Sequence, residues 1–221
     1  MTLTNGTNKG DKMIKFENTS IYGWESAIRG MRNPMNSWEK SDSIFECVGL
    51  VDIGENDLKL MKQLVKAGTD HSKFMRMITV TVDITAPLYW WKEFDTYKVG
   101  TVRNSCSTMH KIHEKAFTLD DFSHEHLFAS CVANGLGVII QILNNCRDYY
   151  LKTKSKEGWW QLIQLLPSSY NQRATVQLNY AVLRNMYHSR KNHKLDEWSQ
   201  GFIKWVESLP YSELITEGGA K

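Results

Sequence analysis

The clearest pattern in the chain is an alternation of apolar and polar residues between positions 74 and 86, FMRMITVTVDITA. Every second residue from Ile78 to Ile84 is β-branched and apolar. A period of two is typical of a strand with one buried face, so we predict a strand over 74–86. Pro87 is expected to end this strand, because proline has no N–H to donate to a neighbouring strand.

Helical spacing is clearest between residues 55 and 67. Leu58, Met61 and Val65 fall on one face of a helix there, and Gly68 is well suited to end it. Other segments with helical spacing are predicted to form helices over 24–31, 88–97, 127–153, 159–166, 173–189 and 197–208.

The remaining segments complete a mixed architecture. Short strands are predicted within 12–22 and 44–53, whereas the polar segment 98–111 is expected to be a loop that holds a ligand. Together these elements predict an α+β fold, with a small sheet flanked by several helices. We expect one domain over 15–212, preceded by a loose tail over 1–14 and followed by a C-terminal tail over 213–221.

Composition agrees with an ordinary globular protein. The 221 residues are 42% hydrophobic and 23% charged, and the formal net charge is +3. So small a charge does not by itself indicate nucleic-acid binding, and no nucleic-acid partner is expected. The chain shows no apolar run of the roughly 20 residues that a membrane span needs and no signal peptide, and its four cysteines form no CxxC pair, so a cytoplasmic location is expected.

Two constellations suggest metal or nucleophile chemistry, and each has a simpler interpretation. His110, His113, His124 and His126 do not share a regular ligand spacing, so a polar loop is favoured and no metal site is expected. Cys106 lies close to His110, but no third group to orient the histidine is evident, so a covalent nucleophile is not favoured.

Two longer segments carry a family pattern. Residues 58–87, LKLMKQLVKAGTDHSKFMRMITVTVDITAP, combine a helix, a turn with His71, an alternating strand and Ala-Pro. Residues 166–190, LPSSYNQRATVQLNYAVLRNMYHSR, place Arg173, Asn179, Asn185 and Arg190 at fixed intervals, with Trp198 following. In order and spacing these segments resemble the flavin-dependent thymidylate synthases, also called thymidylate synthase complementing proteins, over roughly residues 20–210.

The signature motif of that family is altered here. The family carries Arg-His-Arg, seven residues and Ser, and a count from Pro87 without gaps places these on Thr96-Tyr97-Lys98 and Cys106. A one-residue insertion places Ser107 at the final position instead. Lys98 is then the remaining positive charge at the cluster that holds flavin phosphates in the family.

The resemblance implies a set of site residues. Cofactor-binding residues would be His71, Lys98, Asn104, Asn179 and Asn185, with the last two at the flavin ring. Substrate-binding residues would be Arg103, Arg173 and Arg190. Catalytic residues would be Arg190, at a carbonyl of the substrate ring, and Ser107.

Several arginines of the family are replaced, among them the two that hold the substrate phosphate, at the positions of Thr108 and Ile163. Their positions hold the uncharged Thr108, Ile163 and Ala181, and Glu93 stands where a glutamine is usual. Nearby cations that would compensate are Lys92, Arg103, Lys111 and Arg184.

The implied cofactor is FAD, with NADPH and methylenetetrahydrofolate as further reactants and a pyrimidine nucleotide, dUMP or a relative, as substrate. The resemblance also implies a homotetramer with sites between subunits. Two alternatives remain open. One is a non-catalytic binding or assembly module that keeps the fold, and the other is a flavin enzyme with a different acceptor.

Overall fold

The computed structural model describes residues 14–45 and 51–218. Its main sheet has four strands in the order β1-β4-β6-β5, and each neighbouring pair is antiparallel. These strands are β1 Lys15–Tyr22, β4 Thr79–Pro87, β5 Val102–Ser105 and β6 Asn171–Asn179. A separate antiparallel pair joins β2 Ile44–Phe45 to β3 Val51–Asp52.

Helices provide most of the remaining structure. They are α1 Trp24–Arg32, α2 Glu55–Ala67, α3 Leu88–Phe94, α4 Ala129–Cys131, α5 Gly137–Thr153, α6 Lys156–Leu165, α7 Tyr180–Arg190, α8 Ile203–Glu207 and α9 Glu213–Thr216. Two π-helical turns, Val132–Leu136 and Glu197–Phe202, lead into α5 and α8. The predicted α+β fold, a small sheet flanked by several helices, is confirmed.

One face of the main sheet forms the core. Val80, Val82 and Ile84 on β4 are fully buried, together with Val176 and Leu178 on β6. Burying each such side chain stabilises the fold by roughly 1.5–3 kcal/mol. The alternation seen in the sequence therefore marks the central strand, and its threonine and aspartate residues face the other side of the sheet.

The predicted helix over 173–189 is wrong in its first half, where the chain forms β6. Ala174, Val176 and Leu178 alternate in burial with exposed neighbours, which is the period of a strand. β6 bonds to β4 along nine residue pairs and to β5 along four. Because the segment also suits helical spacing, only these partner strands decide its structure.

Three other boundaries differ from the sequence predictions. Residues 74–78 lie outside the strand, which begins at Thr79, because Lys73–Arg76 forms a 3₁₀ turn that buries Phe74 and Met75. The segment 98–111 is not wholly a loop, since it contains β5. The segment from 213 begins with α9, whose Leu214 and Ile215 are fully buried, so the chain is packed there rather than loose.

A second, smaller apolar cluster lies beside the main core. It contains Ile112, Phe117, Phe122, Leu136, Leu143 and Leu162. The π-helical turn supplies Leu136, α5 supplies Leu143 and α6 supplies Leu162. Several other large apolar side chains of α5 and α6 are exposed.

The helix Ala129–Thr153, made of α4, the π-helical turn and α5, is long and apolar enough to cross a membrane. The sequence alone did not suggest this, because its apolar residues are interrupted rather than continuous. A single such helix is weak evidence for a membrane span, because an apolar helix face suits a protein interface equally well.

Candidate functional site

The segment between α3 and β5, residues 95–101, lies against the beginning of α7. Gly100 adopts a φ of +76°, a conformation that favours glycine. A Cβ added to Gly100 would lie 3.0 Å from Val182 Cγ2 and 3.3 Å from Asn179 Nδ2. The segment therefore approaches α7 closely, at a distance that a larger residue would disturb.

Asn179 stands at the junction of β6 and α7. Its backbone ends the strand in an extended conformation, and its Oδ1 accepts a hydrogen bond of 3.0 Å from the backbone N–H of Val182. This is the N-cap arrangement, which satisfies one of the unpaired donors at a helix start. The side chain thus has a structural role, and its Nδ2 faces the Gly100 turn at close range.

Arg190, at the end of α7, contacts side chains of α3, of the 95–101 segment and of the π-helical turn that leads into α8. Its Nη1 lies 2.8 Å from Oε2 of Glu93 on α3, and its Nε donates to the Tyr97 hydroxyl at 2.8 Å. The guanidinium also lies 5.3 Å from the ring centre of Tyr97 and 5.1 Å from that of Trp198, distances typical of cation–π contacts. Only 14% of its side chain is exposed.

Arg103 on β5 is held in a similar way. Its Nη1 lies 2.8 Å from Oδ1 of Asp95, and its guanidinium lies 4.5 Å from the ring centre of Trp91. Within the same segment, Thr96 donates to the carbonyl of Glu93 at 2.7 Å, and the Thr101 hydroxyl contacts the carbonyl of Tyr97. The 95–101 segment is therefore an ordered turn with its own hydrogen bonds.

Arg173 lies on the polar face of the sheet, where it belongs to a group centred on Asp83. Arg173 Nη2 donates to Asp83 at 2.8 Å, Thr175 Oγ1 at 2.5 Å and Asn18 Nδ2 at 2.8 Å. The hydrogen bond from Thr175, then those from Asn18 and Arg173, lower the pKa of Asp83 to about 2. The sequence did not identify Asp83 as the partner of Arg173, although the alternating pattern placed it on the polar side of β4.

The other expected site residues are exposed at separate places. His71 lies in the turn after α2, Lys98 in the 95–101 segment, Asn104 on β5 and Asn185 on α7. Ser107 Oγ accepts hydrogen bonds from the backbone N–H groups of Met109 and His110, at 3.1 and 3.0 Å. The structure thus brings Lys98, Asn179 and Arg190 to one region, while Arg173 lies on the open sheet face.

Most of the cations that were expected to compensate for the replaced arginines are engaged elsewhere. Arg103 pairs with Asp95, and Lys111 pairs with Glu114. Arg184 donates to the carbonyl oxygens of four residues, Leu214, Ile215, Glu217 and Gly218. Lys92 is exposed on α3.

The contacts of Arg184 bind the C-terminal segment to α7. His188, one turn further on, places Nε2 3.1 Å from the carbonyl oxygen of Ile215. Burial, and then the positive charges of Arg184 and Lys191, lower the pKa of His188. The imidazole of His188 is therefore favoured in its neutral form at this position. The same contacts fix α7, the helix that carries Asn185 and Arg190, to the C-terminal segment.

The histidines and Cys106 form no evident reaction centre. His124 Nδ1 lies 2.8 Å from the carbonyl oxygen of Phe122, and His126 lies 3.5 Å from Asp196. Among residues 14–45 and 51–218, no group of three His, Cys, Asp or Glu side chains is placed to hold a metal ion. Cys106 is exposed with a free thiol.

A small cavity of about 120 Å³ lies at the other end of the sheet. Thr85 and Asn171 line it, and each is at the far end of its strand from Thr79 and Asn179, which face one another across β4 and β6. The cavity therefore lies at the opposite end of these two strands from Asn179.

Comparison with solved structures identifies the fold. The chain is similar to two crystal structures of the flavin-dependent thymidylate synthase ThyX from Helicobacter pylori, both with FAD and dUMP. Each has a TM-score of 0.67, with sequence identities of 15% and 16%. The alignments cover 93% and 95% of this chain, and 97% and 100% of those chains. No protein-family model and no curated protein sequence matches.

Proposed function

We propose that this protein is a flavin-dependent enzyme of thymidylate synthase type, or a diverged relative, that acts on a pyrimidine nucleotide such as dUMP or on a related compound. The observation that carries this proposal is the shared fold over almost the whole chain with proteins that hold FAD and dUMP. The clustering of Lys98, Asn179 and Arg190 around the 95–101 segment supports it.

The region at the start of α7 fits the ring end of a flavin. Asn179 Nδ2 is available beside the Gly100 turn while Oδ1 caps the helix, so the amide is held in one orientation. Asn185 is exposed one and a half turns further along α7. An isoalloxazine ring presents carbonyl and nitrogen acceptors, which amide N–H groups suit. We assign Asn179, Asn185 and His71 to the ring end.

The phosphate end has fewer anchors. Lys98 is exposed and positively charged, and the glycine-containing turn beside it offers backbone N–H groups. The other two residues at the signature positions are engaged, Thr96 with the carbonyl of Glu93 and Tyr97 with Arg190. The phosphate end would therefore hold FAD through Lys98, with Asn104 on β5 assigned as a further contact, and we expect weaker binding than three phosphate-binding side chains would provide.

The pyrimidine is assigned to the region around Arg190, Arg103 and Ser107, with Arg173 on the adjoining sheet face. Bound FAD, once reduced by NADPH, would supply hydride, and methylenetetrahydrofolate would supply the one-carbon unit. The protein would contribute orientation: the guanidinium of Arg190 is held by Glu93, Tyr97 and Trp198, so it is positioned before any ligand binds.

Self-association is part of the proposal. The residues 127–165 expose a set of large apolar side chains: Leu127, Phe128, Val138, Ile139, Ile142, Tyr149, Trp160 and Leu165. An apolar surface of this extent is typical of a protein interface. We assign it to contacts between copies of this chain in a homotetramer located in the cytoplasm.

A non-catalytic binding or assembly module is the second candidate. The observation that favours it is the internal pairing of Arg190 with Glu93, because a substrate-binding arginine is thereby partly occupied by the chain itself. In that case neither flavin nor pyrimidine would bind, and only the assembly would persist.

The deciding experiment is a visible absorption spectrum of the purified protein, followed by titration with FAD. We expect a flavin band or saturable binding, weakened about tenfold or more by Lys98→Gln because one charged phosphate contact is lost. Lys152→Gln, an exposed lysine at the end of α5, is the matched control. A colourless protein that does not bind FAD would instead support the non-catalytic module.

A further inference from the structure

The three arginines expected at the ligand are each paired with a carboxylate of the chain itself. Arg190 pairs with Glu93, Arg103 with Asp95 and Arg173 with Asp83, and each shortest N–O distance is 2.8 Å. An arginine fork binds phosphate well because it offers two parallel N–H donors. Here each guanidinium already contacts a carboxylate, so a phosphate would have to displace that carboxylate or bind beside it.

Arg190 is the most tightly held of the three. Its Nε and Nη1 are engaged by Tyr97 and Glu93, and within residues 14–45 and 51–218 only Nη2 has no such partner. A single N–H-bearing nitrogen suits a neutral carbonyl oxygen, whereas a phosphate dianion would meet the carboxylate of Glu93 close by. Repulsion between such charges is strong at the partly buried edge of a protein.

The positions that hold phosphate in the resembling family give no compensation. Thr108 is uncharged, and Ile163 packs against the second apolar cluster. In contrast, the half-buried Tyr97 places a flat aromatic surface beside Arg190, and such a surface suits an uncharged heteroaromatic ring, whereas Trp198 is fully buried and only supports Arg190 from behind.

We infer that Glu93 determines specificity by charge, so that the site selects an uncharged pyrimidine, a nucleoside or free base, over a nucleoside monophosphate. This inference rests on the proposed pyrimidine site and narrows its substrate class. Glu93 acts here beside the ring contact of Arg190: its carboxylate holds the guanidinium and repels a phosphate carried by the same ligand.

The test is calorimetric titration of the full chain, saturated with FAD, with deoxyuridine and with dUMP. The wild-type protein should bind deoxyuridine at least as tightly as dUMP. Glu93→Gln should raise the affinity for dUMP relative to deoxyuridine by about tenfold at low salt, and added salt should reduce this gain. Asp148→Asn, which releases Arg147 on α5, is the matched control and should leave the ratio unchanged.

A wild-type preference for dUMP of tenfold or more would overturn the inference, as would an unchanged ratio in folded Glu93→Gln. If FAD binds but neither pyrimidine does, the inference fails while the flavin proposal stands. If FAD does not bind either, both fail. Circular dichroism of each variant identifies misfolding, and the wild-type ratio remains decisive if Glu93→Gln does not fold.

Discussion

The side-chain oxygen of Asn179 accepts the backbone N–H of Val182 at 3.0 Å, so one residue both ends a strand and caps the helix of the candidate site. A cap and a ligand contact would use different atoms of this amide. The cap needs Oδ1, whereas the proposed flavin contact needs Nδ2.

Substitution of Asn179 can therefore separate the two roles. Asn179→Asp keeps the capping oxygen and removes the Nδ2 donor, so we expect little change in Tm but a loss of FAD affinity of about tenfold. Asn179→Ala should also lower the free energy of unfolding by about 1 kcal/mol, because the cap is lost. Thermal melts of both variants measure the change in stability, and FAD titrations measure the change in affinity. Unchanged FAD binding in Asn179→Asp would remove the residue from the cofactor site.

Asp83 predicts a loss of stability in acid. Its pKa is about 2 in the folded protein against 3.8 ordinarily, so its contribution is complete above pH 3.8 and is lost as the pH falls through 2. We expect Asp83→Asn to lower the free energy of unfolding by about 1–2 kcal/mol at pH 7, and the deficit to shrink towards pH 2. Denaturant unfolding at several pH values measures it, and the exposed Asp148→Asn should show no comparable deficit.

His188 predicts a second loss of stability on acidification, this one near neutral pH. Its pKa is lowered on folding, so the neutral ring stabilises the fold above pH 6.5 and this contribution is lost as the pH falls below that value. The Tm of the wild-type protein should therefore fall more between pH 7.5 and 5.5 than that of His188→Gln, which keeps a donor for the Ile215 carbonyl. His110→Gln, in an exposed position, serves as the control. Parallel pH profiles for wild type and His188→Gln would contradict the prediction.

A buried ion pair predicts a large structural effect. Arg32 Nε lies 2.7 Å from Asp57, and the two side chains are 4% and 0% exposed. Burial raises the pKa of Asp57, but hydrogen bonds from Ser41, Ser43 and Arg32 outweigh it and lower the pKa overall. Asp57→Ala should cost about 3–5 kcal/mol in the free energy of unfolding, because it leaves a buried charge unpaired.

An exposed ion pair provides the comparison for the buried pair of Arg32 and Asp57. Glu25→Gln breaks the exposed pair with Arg29 on α1 and should change the free energy of unfolding by less than about 0.5 kcal/mol. Chemical denaturation of the two variants gives both values. Similar costs for the two pairs would show that burial is not the cause.

The exposed face of α5 predicts assembly. Ile142→Glu places a charge among large exposed apolar side chains, of which Phe128 is 80% exposed. If this face joins copies of the chain, the variant should elute as a smaller species in light-scattering chromatography, because burying an unpaired charge is costly. Lys152→Glu, also on α5, should leave the assembly intact. A monomeric wild-type protein would rule out the proposed tetramer.

Much of the fold followed from local patterns. The strand around Val80 and the helix over 55–67 were recognised because one face of each is apolar at its own period. The spacing from Arg173 to Arg190 also pointed to a known fold. β6 was missed, because residues 173–179 suit a helix as well as a strand when their partners are unknown.

By itself, then, the sequence determined the mixed architecture and the central strand, and the spacing of its residues resembled a known fold. Only the tertiary structure decided how their charges are paired. Glu93 and Arg190 are 97 positions apart by number, and nothing in their local patterns indicates contact. Local periodicity reports which face of an element is buried, whereas an ion pair depends on how separate elements pack. In the folded chain, the arginines that were expected to bind a ligand are paired with carboxylates of the chain itself.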